Sequence, residues 1–505
     1  MAIAVLTFLS AIVIGASAVL TSAITLAATA LIVPGTGTHD ITTVKGYKEN
    51  AADRYIAPAT SGSTAYCTST NGCALIGIPY PASFFPIPLP GWCPNLNCDT
   101  WNQSVGAGVA ALNSELINQL TNPTPNNKQI ILFGYSQGGA VVSAEMYNLA
   151  KLDPATKSRI QVVTIGNIDN PQGLWTRLSF LPTIPFLNIT FGPVLPTNIG
   201  IKSTNYSFEY DPVGDAPLYI LNPLAILNAL AAFWYVHGNY LVPNSNDPGG
   251  TLPYGYTPAT LAAAIADPAN RRTYQDATFV LIPEQGTLPI LQPFLDIGAA
   301  LHLTPLVKPF VDLLNPIFKV LINLAYDRTL NPGIPETFQL FPIVNPITLI
   351  TNLITAGLQG IQAALKDIGL GALGGLLPAA PLAPKGPSTV SPSAPVAPTI
   401  TSPVEMLAPR APNGSSVAVS TLTSVKPKST VGTLAPATNP GGKTASILPF
   451  TVPVLPKPTS SAATGTTQPN VLTPVQVIQR ANATINELTK PTTAGKPSSG
   501  SKTAA

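Results

Sequence analysis

Two hydrophobic periods alternate along the first 375 residues of the chain. Short apolar runs of strand length, Thr29–Val33, Ile130–Phe133, Ile160–Ile165 and Ala277–Ile282, each end directly at a glycine or proline, as buried strands do. Between them, Val105, Val109, Leu112, Leu116 and Leu120 keep helical spacing across Gln103–Leu120, and Asn122-Pro123-Thr124-Pro125 stops that helix. After Ser136, the residues Val141, Val142, Met146 and Leu149 suit one helix face. Strands alternating with helices predict an α/β fold, a mostly parallel sheet with helices on both faces. Farther on, Leu306, Phe310, Leu313, Leu314, Ile317 and Leu321 keep helical spacing, broken by Pro305, Pro309 and Pro316, and residues 347–365 are similarly apolar. These segments are expected either to pack on the sheet as additional apolar helices or to form a mobile cap over an apolar substrate.

The ends of the chain read differently. Residues 2–33 carry no charged side chain, and small residues at Ala16-Ser17-Ala18 and Ala27-Ala28 suit a signal peptidase. Export is implied, with a cleaved signal peptide and a retained membrane anchor both open. From about Leu377 the composition turns to Pro, Ala, Thr, Ser and Gly, which cannot bury enough apolar surface to offset ordering entropy, so a disordered tail is expected. The domain plan is therefore 1–28 signal peptide or anchor, 29–290 catalytic α/β domain, 291–376 apolar helical extension or cap, and 377–505 tail. From Ala380 onward ten basic residues face Glu405 and Glu487, a balance of +8 within a chain of net +3, leaving the rest near −5. Such a tail suits either a solvating linker or contact with an anionic envelope or lipid surface.

The four cysteines, Cys67, Cys73, Cys93 and Cys98, fall in one loop-rich stretch. In an exported chain they are expected to form two disulfides, Cys67–Cys73 and Cys93–Cys98, each closing a short local loop. No C-x-x-C spacing supports a metal site instead.

The candidate chemistry lies in Ile130-Ile131-Leu132-Phe133-Gly134-Tyr135-Ser136-Gln137-Gly138-Gly139-Ala140, a strand joined to a helix through G-x-S-x-G. That context makes a nucleophile elbow, with Gly134 and Gly138 where a Cβ would collide and Ser136 as the nucleophile. A serine hydroxyl needs a base beside it and N–H donors for the oxyanion. One donor is the backbone N–H of Gln137; the other is expected from Pro34-Gly35-Thr36-Gly37-Thr38 after the first strand, with Thr36 chosen and Gly37 or Thr38 as the offset alternatives.

Only His39, His237 and His302 are available as base. His237 follows Ser136 and an intervening acidic segment, Tyr210-Asp211-Pro212-Val213-Gly214-Asp215, giving the order Ser, Asp, His. Asp211, on the strand-like Ser207–Tyr210, is the first choice for the acid that orients the imidazole. Asp215 is the alternative acid, or a turn or cap residue before Pro217. His39 precedes the serine and His302 sits in the proline-broken region, so both stay outside the triad.

With these residues in place the chain resembles the PE-PPE domain of mycobacterial proteins, a cutinase-like serine hydrolase family. The resemblance runs over much of residues 29–290. It rests on Pro34-Gly35-Thr36-Gly37, Gly134-Tyr135-Ser136-Gln137-Gly138-Gly139, Gly166-Asn167 with Asn170-Pro171-Gln172-Gly173, and Tyr210-Asp211-Pro212-Val213-Gly214-Asp215-Ala216-Pro217 leading through Asn222-Pro223 to His237. It implies a cutinase-like α/β-hydrolase fold, esterase activity on acyl esters and, in some relatives, acyl transfer in trehalose lipid synthesis. The cutinase-like pattern of an acid followed closely by valine falls on Asp211. The PE or PPE module that usually precedes this domain is not found ahead of residue 29, where the hydrophobic segment stands.

The resulting expectation is an exported serine esterase or lipase, secreted or anchored at the cell envelope, acting on acyl-ester lipids or glycolipids through an acyl-enzyme. An acyltransferase to a sugar and a non-catalytic envelope-binding protein are the alternatives. The mechanism needs no cofactor or metal, and nothing marks a nucleic-acid partner.

Overall fold

Seven short strands and the helices between them form the frame of this computed structural model, which describes residues 28–70, 73–122 and 128–374. The N-terminal apolar segment up to residue 27 and the tail from 377 lie outside the described residues.

The strands are β1 Ala28–Val33, β2 Ala74–Gly77, β3 Gln129–Tyr135, β4 Ile160–Ile165, β5 Ser203–Phe208, β6 Arg271–Tyr274 and β7 Ala277–Ile282. They make one sheet in the order β2-β1-β3-β4-β5-β7-β6, parallel throughout except for the β6–β7 hairpin at one edge. This is the sheet of an α/β fold, mostly parallel as expected. The helices of nine or more residues are α1 Trp101–Thr121, α2 Gln137–Leu149, α3 Pro223–Tyr235, α4 Pro258–Ala266, α5 Gln292–Ala300, α6 Thr304–Asn323 and α7 Pro346–Asp367.

Side chains along each central strand alternate between two cores, because successive Cβ atoms point to opposite faces. Leu31, Val33, Ile130, Leu132 and Val162 pack under α1 and α2 with Leu112, Leu116, Val141 and Met146. Ile32, Ile131, Phe133 and Val163 pack on the other face with Tyr55, Ile56, Ala225, Leu261 and Ile265. The helix expected over Gln103–Leu120 is α1, started by Thr100, whose N–H donates to Gln103 Oε1 at 3.0 Å.

Four elements differ from the reading of the sequence. β5 begins at Ser203 and ends at Phe208, because Tyr210 turns the chain with φ +67° before Asp211. Its sequence is polar yet buried throughout, its side chains pairing internally, as where Thr164 Oγ1 donates to Asn205 Oδ1 at 2.7 Å. β2 and β6 are four-residue edge strands too short to register as periodic. The prolines at 309 and 316 do not break the chain: α6 runs through both as one helix, held from its sides by α5 and α7.

The order of the sheet reverses between β1 and β3. From β1 the chain steps outward to β2 and then returns through α1 to β3 on the other side, so the loops after β1 and β3 separate and open a crevice at the carboxyl edge.

Candidate active site

At that edge β3 turns into α2 through Ser136, whose backbone adopts φ +55°, ψ −117°. The turn is tight enough that a Cβ on Gly134 would lie 2.5 Å from Gly138 O, and one on Gly138 only 2.3 Å from Val33 O. Both clashes are with backbone, which cannot swing aside, so the elbow requires glycine at both positions.

The loop after β1 lies against the serine. A Cβ on Gly35 would meet Ser136 Cβ at 3.1 Å and Tyr135 O at 3.2 Å. Within this loop Gly37 N–H donates to Ala82 O at 2.8 Å and Thr38 N–H to Gly35 O at 3.2 Å. Two of the three alternative oxyanion donors are thus engaged within the chain, and among the described residues no such bond is found for Thr36 N–H. Gln137 itself is buried, its amide donating to Ser83 O at 2.9 Å and accepting from Ser104 Oγ at 3.2 Å. These bonds tie the first turn of α2 to the segment after β2 and to α1.

His237 reaches the serine from the 3₁₀ turn His237–Asn239 that follows α3. Its Nε2 lies 2.9 Å from Ser136 Oγ, and its Nδ1 lies 3.0 Å from Asp211 Oδ2. The Asp211 side chain is fully buried and that of His237 is 7% exposed. The carboxylate also accepts from Tyr240 Oη at 2.7 Å and, through Oδ1, from Val213 N–H at 3.0 Å. A buried carboxylate with several donors is held as an acceptor for the imidazole N–H. Gly166, with φ +45°, ends β4 behind this pair; a Cβ there would approach His237 Cε1 at 3.0 Å and Asp211 Oδ2 at 3.2 Å.

Asp215 is turned away from the histidine. Its carboxylate accepts from Tyr210 N–H at 2.8 Å and from both Nη atoms of Arg328. Arg328 also lies over the Tyr326 ring, 4.4 Å from its centroid, and 3.5 Å from Glu209. His39 and His302 are exposed and outside the site.

Rings line one flank of the cleft. Phe233, in the last turn of α3, stacks on His237 with centroids 5.4 Å apart, Trp92 meets Phe233 edge-on, and Phe84 stacks on Trp92. Cys93–Cys98 closes a loop directly after Trp92, and Cys67–Cys73 closes a loop ahead of β2, the two pairings expected from spacing. Among the described residues no group of three or more His, Cys, Asp or Glu side chains is arranged to hold a metal ion.

Reading the sequence passed over three contributors. Tyr240 stands three residues after His237, the spacing that returns to the same side of a 3₁₀ turn, and that was its signal. Arg328 carried none, since its partner is 113 residues away. The Phe84–Trp92–Phe233 flank draws on three separate segments.

The family profile described as PE-PPE domain matches residues 72–327. The uncharacterized PPE family protein PPE42 of Mycobacterium tuberculosis is 30% identical over 324 residues, 63% of this chain and 48% of that protein. Esterase PE16 of the same species is 31% identical over 347 residues, 67% of this chain and 56% of that protein. SL1278 acyltransferase Chp1, also from M. tuberculosis, is 28% identical over 349 residues, 69% of this chain and 72% of that protein. The chain spans about half the length of PPE42 and PE16. Among solved structures, a cutinase-like protein from Cryptococcus sp. is 18% identical with TM-score 0.24, covering 37% of this chain and 79% of that one. An acetylxylan esterase is 20% identical with TM-score 0.24, covering 38% and 86%.

Proposed function

The chain belongs to the PE-PPE domain family, and from that membership we propose that it is an exported serine esterase of acyl lipids acting through Ser136, His237 and Asp211. The observation that carries this reading is the unbroken path of contacts from Ser136 Oγ through the imidazole to the buried Asp211 carboxylate. Its similarity to esterase PE16 points the same way.

In this mechanism His237 Nε2 takes the proton as Ser136 Oγ bonds to the ester carbonyl carbon. The carbonyl oxygen becomes an oxyanion facing the N–H groups of Gln137 and Thr36. Asp211, accepting from Nδ1, holds the tautomer and stabilises the imidazolium. When the tetrahedral intermediate collapses, the C–O bond to the alcohol breaks and the imidazolium gives that alcohol its proton. Water then repeats the sequence on the acyl-enzyme, releasing the acid and restoring the serine. The rings of Phe84, Trp92 and Phe233 beside His237 give an acyl chain an apolar flank.

Residues 29–290 are the hydrolase domain in this reading, and 291–376 an apolar extension that also braces it through Arg328. Two disulfides suit an oxidising compartment outside the cytoplasm. Among the described residues no helix is long and apolar enough to cross a membrane, so attachment to the envelope would come from the segment before residue 28 or from surface contacts.

A second reading has support of its own. Similarity to SL1278 acyltransferase Chp1 across 69% of this chain favours passage of the acyl group to an acceptor other than water, a sugar hydroxyl in this reading. The same serine chemistry serves both, and the acceptor decides.

The test is hydrolysis of p-nitrophenyl acyl esters of increasing chain length by the full chain and its Ser136→Ala variant, with fluorophosphonate labelling of the serine. Turnover that disappears in the variant is the expected result. Labelling without turnover, with acyl transfer appearing on addition of a disaccharide, would select the acyltransferase. Neither labelling nor turnover would leave a non-catalytic envelope-binding protein.

A further inference from the structure

We propose that α5, α6 and α7 form a face that docks on the hydrocarbon surface of an uncharged lipid layer and brings the mouth of the cleft to it. On α6, Leu306, Phe310 and Leu314 repeat every four residues and so share one side of the helix. Leu306 is 65% and Phe310 68% exposed. On α5, Ile297 is 58% exposed, and on α7, Ile354 is 61% exposed.

Two close approaches join these helices into one layer. A Cβ on Gly298 would meet Val307 at 3.1 Å, so Ile297 and Leu306 flank the α5–α6 seam. Gly360 sits against Leu313 O, where a Cβ would lie 2.1 Å away, so Ile361 and Leu314 flank the α6–α7 seam. Exposed apolar side chains of this size on three adjoining helices exceed what a monomer scatters over its surface and mark an interaction site.

Charge selects the occupant. The three helices carry Asp296, Asp312 and Asp367 against Lys308, Lys319 and Lys366, a net charge of zero. Five of the six are engaged within the chain: Lys308 with both Asp312 and Asp367, Lys319 with Glu284, and Asp296 with Tyr235 and Gln292. The face therefore offers an approaching surface almost no charge to pair with, and its gain comes from withdrawing apolar area from water. That matches an uncharged lipid layer better than a charged headgroup layer or a polar protein surface.

The face also runs toward the cleft. α3 packs on α6, its cap Asn222 donating to Leu321 O at 2.7 Å, and carries exposed Leu227, Leu230 and Trp234 into the turn that bears His237. The choice of lipid over a second copy of the chain rests on the esterase reading of that cleft.

The test uses the full chain with Ser136→Ala, so that no lipid is consumed, in co-sedimentation with phosphatidylcholine vesicles. Binding is expected to persist at about 0.5 M salt, where headgroup electrostatics are screened, and to weaken at least about tenfold in a Leu306→Asp/Phe310→Asp double variant. The double variant's thermal melt should be unchanged, and in the Ser136 background its turnover of a soluble short-chain ester should stay within about twofold. Binding that the double variant leaves intact would overturn the proposal. So would binding confined to anionic vesicles and abolished by salt, or a dimer in solution that the double variant dissociates. Failure of ester turnover in the parent chain would remove the esterase reading while leaving the vesicle result to stand by itself.

Discussion

Arg328 closes on Asp215, four residues beyond Asp211, from a segment 113 residues downstream. Asp215 in turn accepts from Tyr210 N–H, and its own N–H donates to Asp211 O at 2.6 Å. The pair thus clamps the left-handed turn at Tyr210 that presents Asp211 to His237. Arg328→Ala should lower kcat about tenfold with KM little changed, and lower stability by about 3 kcal/mol, the cost of leaving the buried Asp215 carboxylate without its ion-pair partner. Arg328→Lys keeps the charge and loses the fork, so it should recover part of the stability. Steady-state kinetics and thermal melts check both; a stability loss with kcat intact would reduce Arg328 to a structural role.

Removal of the proposed nucleophile should leave little. Ser136→Ala and His237→Ala are each expected to lower kcat by about six orders of magnitude, and Asp211→Asn by about four, because the amide favours the wrong imidazole tautomer. The Ser136→Ala/His237→Ala double variant should be no slower than either single one. Stepwise multiplication of the losses would show that the two side chains do not act as a unit.

Tyr240 contributes through its hydroxyl, which donates to Asp211 and accepts from Phe208 N–H at 2.9 Å. Tyr240→Phe removes one donor from the carboxylate and orphans a buried N–H. The expected cost is about 1–3 kcal/mol of stability with a kcat loss well short of that in Asp211→Asn. Denaturant unfolding beside kinetics separates the two effects.

Asp169 supplies a pH dependence. Its carboxylate is buried and neither oxygen has a hydrogen-bond partner among the described residues. Burial pushes its pKa well above the usual carboxylate range. The folded state then holds a proton that the unfolded state releases. The associated stability is complete below the unfolded carboxylate range and is lost as pH rises toward the folded value. Asp169→Asn should therefore gain on the parent as pH rises, reaching about 1–3 kcal/mol near neutrality and little below about pH 4. Melting curves across that range test it, and an advantage that is flat with pH would refute it.

Close reach along the chain decided what the sequence could disclose. The β1, β3, β4 and β7 runs, the α1 stripe, the G-x-S-x-G turn and the two short disulfide loops rest on neighbours within a few residues. Their periods and turn residues encode them directly. β5 escaped because its residues are polar and satisfied by one another inside the sheet. α6 escaped as a single helix because lateral packing overrides two prolines.

By itself the sequence determined an alternating strand and helix order, an elbow that only glycines permit, and a choice among three histidines. Only the tertiary structure decided which N–H groups of the 36–38 loop are engaged within the chain, which of two aspartates faces His237, that Tyr240 and Arg328 support that aspartate, and which side of α5–α7 meets solvent. Each of these depends on groups brought together across tens to hundreds of residues, and a local pattern holds no record of such a meeting.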